Sequence, residues 1–367
     1  MPKSYSSKHG VAMSDTYLFH RRSFLQTSVA GVAGLSLGSI LSAQESKPVK
    51  LGEGKMTFTL NPNFGKLPAG MQYGFGCAVV VDSKDRVYVT SRSSNACVAV
   101  FDTEGKLLET WTKDFTAKIG LDPQKYAATA HGLYYSKEGG QEYFYWTENV
   151  AGKGDDRLGA RVYKTDLTGK VLYTLGLVAK EDATSQKFDF TNPTDVAVAP
   201  NGDIYIVDGY GSQKVHRFDN KFKLIKTIGK PGKGKGEFNT CHGIWISTLK
   251  KEPEVYIADR ANGRIEVYSL DLEYKRTLPG FRAPCCFYQH DGHLYIPELN
   301  ARVTVLDADD KIVTHLGDGE KVKAPDRVKT PETFASPHAL CTDSHGNLYV
   351  IEWVPDARIR QFKKTPA

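Results

Sequence analysis

The chain has 367 residues, 40% of them hydrophobic and 25% charged, with a formal net charge of +6. This is a soluble globular composition. Its length suits two or three ordinary domains, or one closed all-β toroid. The basic residues interrupt apolar runs singly, and the Gly-spaced run KPGKGKGEF reads as a solvated turn, so no nucleic-acid partner is expected.

The first 43 residues read as an address rather than as fold. HRRSFLQTSVAGVAGLSLGSILSAQ pairs Arg21 and Arg22 ahead of Ser23, Phe24 and Leu25, then runs into a small apolar stretch with a cut near Ala43. This pattern resembles a twin-arginine export signal, which predicts a periplasmic or extracellular protein. The apolar run is short and rich in Gly and Ala, so no stable membrane anchor is expected. A linker over 44–54 and a folded unit over 55–367 follow.

From there the chain repeats with a period of roughly 40 residues, the spacing of propeller blades. Each unit carries short runs of Val, Ile, Tyr and Phe bounded by NG, DG or EG, which is hairpin chemistry. Six units start near Cys77, His131, Thr194, His242, Cys285 and His338. The fold class is therefore all-β, a six-bladed β-propeller. The last unit ends one strand short, and KMTFTLN at 55–61 is expected to supply that strand and close the ring.

The repeat also aligns particular residues. Cys77, Thr194 and His338 each precede the Tyr of a VYV, IYI or LYV run by eleven residues; His131, His242 and Cys285 take the same slot with some loop-length drift. Round the ring the slot reads Cys, His, Thr, His, Cys, His. The three imidazoles on alternate blades should converge in the channel as a metal site. Zinc suits such a set, although copper and iron also accept imidazole. Arg92, Tyr210, Arg260 and Glu298 end the second strands of their units, and are expected at one rim. Arg binds a carboxylate through two parallel hydrogen bonds, and a Tyr phenol near a dication can act as a base. Cys77, Cys97, Cys241, Cys285, Cys286 and Cys341 contain no CxxC and read as packed thiols; the alternatives are that Cys241, Cys285 or Cys286 enters the outer shell of the metal, or that Cys285 and Cys286 form a vicinal disulfide.

With these residues placed, residues 75–363 resemble the NHL-repeat propellers, and within them the peptidyl-α-hydroxyglycine α-amidating lyases. The motifs that carry this are DGY at 208–210 and DRANGR at 259–264. The resemblance implies zinc on His131, His242 and His338, Tyr210 as the catalytic base, and Arg92 and Arg260 as substrate-binding arginines. It implies a small-molecule or peptide substrate with a carboxylate, cleaved at a C–N bond to an amide and glyoxylate. Ala339 stands where the family has an Asp that helps hold calcium, which argues against calcium here. Gly211 follows Tyr210, so the family's paired Cys around that loop are missing. The alternatives are a non-enzymatic NHL propeller that binds a protein or glycan, and a propeller hydrolase or lyase acting on a lactone or cyclic ester.

Overall fold

The computed structural model describes residues 47–120 and 122–366. The export signal expected over 1–43 lies outside the described residues. None of the described helices is long and apolar enough to cross a membrane.

Six sheets, antiparallel except for one added strand, follow one another along the chain. Blade 1 spans 76–111, blade 2 130–187, blade 3 195–228, blade 4 241–279, blade 5 288–316 and blade 6 337–364. The first strand of each blade is the innermost, and these strands neighbour one another round a central channel. Phe58–Asn61 pairs with the last strand of blade 6, Phe58 opposite Lys364 and Asn61 opposite Gln361. The expected linker is corrected at its end: Lys50–Leu51 pairs with Phe58 and Thr59 and adds a fifth strand to that sheet. Blade 2 also gains a strand, Ser185–Lys187, parallel to its neighbour Val171–Gly176. Two short helices, Lys113–Lys118 and Pro123–Thr129, connect blades 1 and 2. They carry Phe115 and Tyr126, which pack edge to face at 5.6 Å.

Burial explains why the blades stack. Each second strand carries one buried tyrosine: Tyr88, Tyr145, Tyr205, Tyr256, Tyr295 and Tyr349. A buried phenol needs a partner for its O–H. Tyr145 donates to Glu138 at 2.8 Å, Tyr349 to Asp343 at 2.8 Å, and Tyr205 to the Leu270 carbonyl of the next blade at 2.6 Å. The repeated Tyr thus fills the space between sheets and ties its free end down. All six cysteines are free, and five of them are buried.

Candidate metal centre and channel mouth

The inner strands bring the three histidines together, and local irregularity aims them. The pairing register shifts at residues 130–133, 241–244 and 337–339, so a bulge sits at His131, His242 and His338. A bulge re-aims the side chain it carries. All three imidazoles are buried, and their ligand atoms lie within 4.8 Å of one another. The ring centroids are 4.8, 5.2 and 5.0 Å apart.

The three slots without His hold the three that have it. His131 Nδ1 lies 2.6 Å from the Thr194 carbonyl, His242 Nδ1 2.7 Å from Cys285, and His338 Nδ1 2.6 Å from Cys77. A carbonyl only accepts, so each Nδ1 carries the proton and each Nε2 keeps its lone pair. This is the outer-shell bond that orients a metal-binding imidazole. Nε2 of His242 and His131 then face each other at 3.2 Å with no proton between them. Two opposed lone pairs repel unless a cation lies between. Bonds of 2.0–2.1 Å in a tetrahedron place ligand nitrogens about 3.3–3.4 Å apart. The donor set therefore fits a metal ion. Burial holds all three imidazoles below their ordinary titration range, His338 at about 3, which favours the neutral ligand form.

A second ring of residues surrounds the histidines. In every blade the first residue after the second strand, or the second in blade 3, donates its backbone N–H to the carbonyl two residues before the slot. The six are Arg92 to Phe75, Asn149 to Thr129, Tyr210 to Asn192, Arg260 to Thr240, Leu299 to Ala283 and Trp353 to Ser336. Arg92, Tyr210 and Arg260 thus share one ring. Glu298 does not, and the expectation for it is corrected. It stands one residue earlier and is fully buried on Arg302 at 2.7 Å, in the register of Glu148, Asp259 and Glu352. Those acids tie each loop to its own blade. Asn149, Leu299 and Trp353 were missed. The acid that closes five of the six second strands would have found them, since the ring residue comes next, with Gly209 inserted in blade 3. A Cβ on Gly209 would collide with the Cys241 carbonyl, so only glycine lets the Tyr210 loop lie against the residue before His242.

The ring is polar where chemistry is expected. Tyr210 is half-buried, its ring 5.7 Å from both His131 and His242. Arg260 Nη2 donates to the Tyr210 hydroxyl at 2.8 Å. Burial pushes that phenol up, and the Arg260 charge opposes the push. Arg92 donates from Nε to the Ala130 carbonyl at 3.0 Å and from Nη2 to Asn149 Oδ1 at 2.8 Å. Among the described residues, neither Arg92 nor Arg260 forms a salt bridge, whereas Arg161, Arg264, Arg302 and Arg358 all do. Two buried-side guanidiniums without a carboxylate leave room for an anionic ligand. A cavity of about 210 Å³ also touches the three histidines, lined by residues including Asp195 and Trp245 of inner strands and Cys286 just before the first strand of blade 5. Arg92, Tyr210 and Arg260 do not line it.

A family profile, DUF5128, described as a 6-bladed beta-propeller, matches residues 183–356. Human NHL repeat-containing protein 3 is 28% identical over 220 residues, 59% of this chain and 58% of that protein. A probable peptidyl-alpha-hydroxyglycine alpha-amidating lyase of Caenorhabditis elegans is 31% identical over 192 residues, 51% of this chain and 47% of that protein. The matched segments thus span about half the length of these curated relatives. A solved streptogramin B lyase shares the fold with a TM-score of 0.53 at 15% identity, over 86% of this chain and all of that one. The chain is a six-bladed β-propeller similar in sequence to NHL-repeat proteins and to an α-amidating lyase.

Proposed function

We propose that this protein is an exported, metal-dependent lyase that cleaves the C–N bond of an α-hydroxyglycine-type amide, R–CO–NH–CH(OH)–COO⁻. The observation that carries this reading is the trio of carbonyl-locked histidines beside a Tyr–Arg pair and a second arginine, neither arginine paired with a carboxylate among the described residues. His131, His242 and His338 would hold zinc, which supplies Lewis acidity and lowers the pKa of a coordinated hydroxyl.

Arg92 and Arg260 bind and orient the carboxylate, which keeps the carbinol carbon in place. Tyr210 is the base for the hydroxyl proton, in the phenolate form that a dication on the three histidines would favour. The Arg260 guanidinium stabilises that phenolate against the upward push of burial. The C–N bond breaks as the C=O of glyoxylate forms, and its electron pair goes to nitrogen. Tyr210 returns the proton there, giving R–CO–NH₂ and OHC–COO⁻. Atoms and charge balance without an oxidant or water.

The test is glyoxylate release from N-acetyl-α-hydroxyglycine by purified mature protein loaded with zinc, next to the same protein in chelator. Zinc-dependent glyoxylate is expected. Stoichiometric metal with no glyoxylate above the uncatalysed rate would sink the lyase and favour a propeller hydrolase; no stoichiometric metal would favour a non-enzymatic binding propeller.

A further inference from the structure

The mouth has two unlike halves. Blades 1 to 4 contribute the polar ring residues, Arg92 and Arg260 among them, whereas blades 5 and 6 contribute Leu299 and Trp353. Trp353 is half-buried, its ring 5.0 Å from His338 and tilted by 33°. Its ring also lies 4.9 Å beneath the Arg92 guanidinium. Phe75 extends this wall outward, its ring 5.2 Å from Trp353 at 31°. Phe75 remains 39% exposed. Its position is built in: its carbonyl accepts the Arg92 N–H at 2.8 Å, and a Cβ on Gly74 would collide with the Arg92 carbonyl. The apolar surface is therefore fixed against both the candidate metal ligands and a carboxylate-binding arginine.

A substrate with its carboxylate on the arginines can lay its remaining group against the apolar half of the ring, where Leu299 and Trp353 stand. We propose that Trp353 and Phe75 form an acyl subsite that selects substrates bearing a flat aromatic group on the carbonyl side of the scissile amide. This inference rests on the lyase reading for the orientation of the substrate. Wall and ligand would meet ring against ring, the tilted arrangement already seen between Phe75 and Trp353. An aromatic acyl group would also cover the exposed face of Phe75, which a methyl cannot do.

The experiment is calorimetric titration of the zinc-loaded protein with N-benzoylglycine and with N-acetylglycine. Both carry the amide and carboxylate but lack the hydroxyl, so neither can react. N-benzoylglycine should bind about tenfold tighter or more, and Trp353→Leu should bring the ratio toward one. Trp353 packs on His338, so Phe75→Ala serves as the second variant, with metal content measured in both. Equal affinity of the two ligands for the unaltered protein, or no binding of either, would overturn the subsite. Equal affinity together with zinc-dependent glyoxylate would leave the lyase standing without it. A benzoyl preference lost in Phe75→Ala, without glyoxylate from any hydroxylated amide, would keep the subsite and remove the lyase.

Discussion

His242→Asn separates the two jobs of one imidazole. Asn Nδ2 lies as many bonds from Cα as His Nδ1, so it can still donate to the Cys285 carbonyl, which the histidine reaches at 2.7 Å. What disappears is Nε2, which faces His131 Nε2 at 3.2 Å. A ligand that binds only the folded state, at a free concentration of a hundred Kd, stabilises it by about 2.7 kcal/mol. A folded unit of about 300 residues unfolds with an entropy near 0.6 kcal/mol/K, so the melting temperature should rise by about 4 °C with zinc. Differential scanning calorimetry in chelator and in excess zinc should show that shift for the unaltered protein. His242→Asn should melt close to the unaltered protein in chelator and gain nothing from zinc. His242→Ala should melt lower in both conditions, because a buried carbonyl without its donor costs about 1–3 kcal/mol. The reasoning is wrong if zinc leaves the unaltered protein unmoved, or if His242→Asn keeps both a stoichiometric metal and the full shift.

Tyr210→Phe should keep the metal and lose about 10²–10⁴-fold in turnover, the contribution of a positioned proton-transfer group, read as glyoxylate release beside metal content. Gly209→Ala should push the Tyr210 loop off the Cys241 carbonyl, costing about 1–3 kcal/mol in denaturant unfolding and about a hundredfold in turnover. The metal-free protein should weaken in acid. His338 is held at about 3 when folded and returns to its ordinary value when unfolded, so the unfolded chain gains the proton first as pH falls. Its contribution is complete above an ordinary histidine pKa of about 6.5 and is lost below it, about 2 kcal/mol by pH 5. Unfolding midpoints in chelator across that range should fall, and His338→Asn should fall less.

The blades were legible in the sequence because hairpin turns and β-branched runs are local signals, and one buried Tyr per unit marks the register. The histidine slot was legible for the same reason: His338 and Thr194 each lie eleven residues ahead of that Tyr. What escaped depends on pairing between distant residues. Lys50–Leu51 is a strand only because Phe58–Asn61 lies beside it, and two residues carry no period of their own. Glu298 looked like a rim residue because loop lengths vary at that point, and its true role required seeing Arg302 against it. Trp353 and Phe75 are unremarkable apart and become a wall only when blade 6 meets the segment before blade 1.

The bond from His338 to the Cys77 carbonyl joins residues 261 apart in sequence, on the last blade and the first. No shorter piece of the chain can form it. The fully oriented three-nitrogen site is thus a property of the finished circle: a chain without blade 6 offers only His131 and His242, and one without blade 1 leaves His338 without the carbonyl that aims it. Metal uptake should accordingly be the final event of folding, and a bound ion would act as a clasp across the seam, where Phe58–Asn61 already joins blade 6 from the outside. Two fasteners on one joint, one at the rim and one at the hub, give the ring a closure that neither the first blades nor the last can make alone.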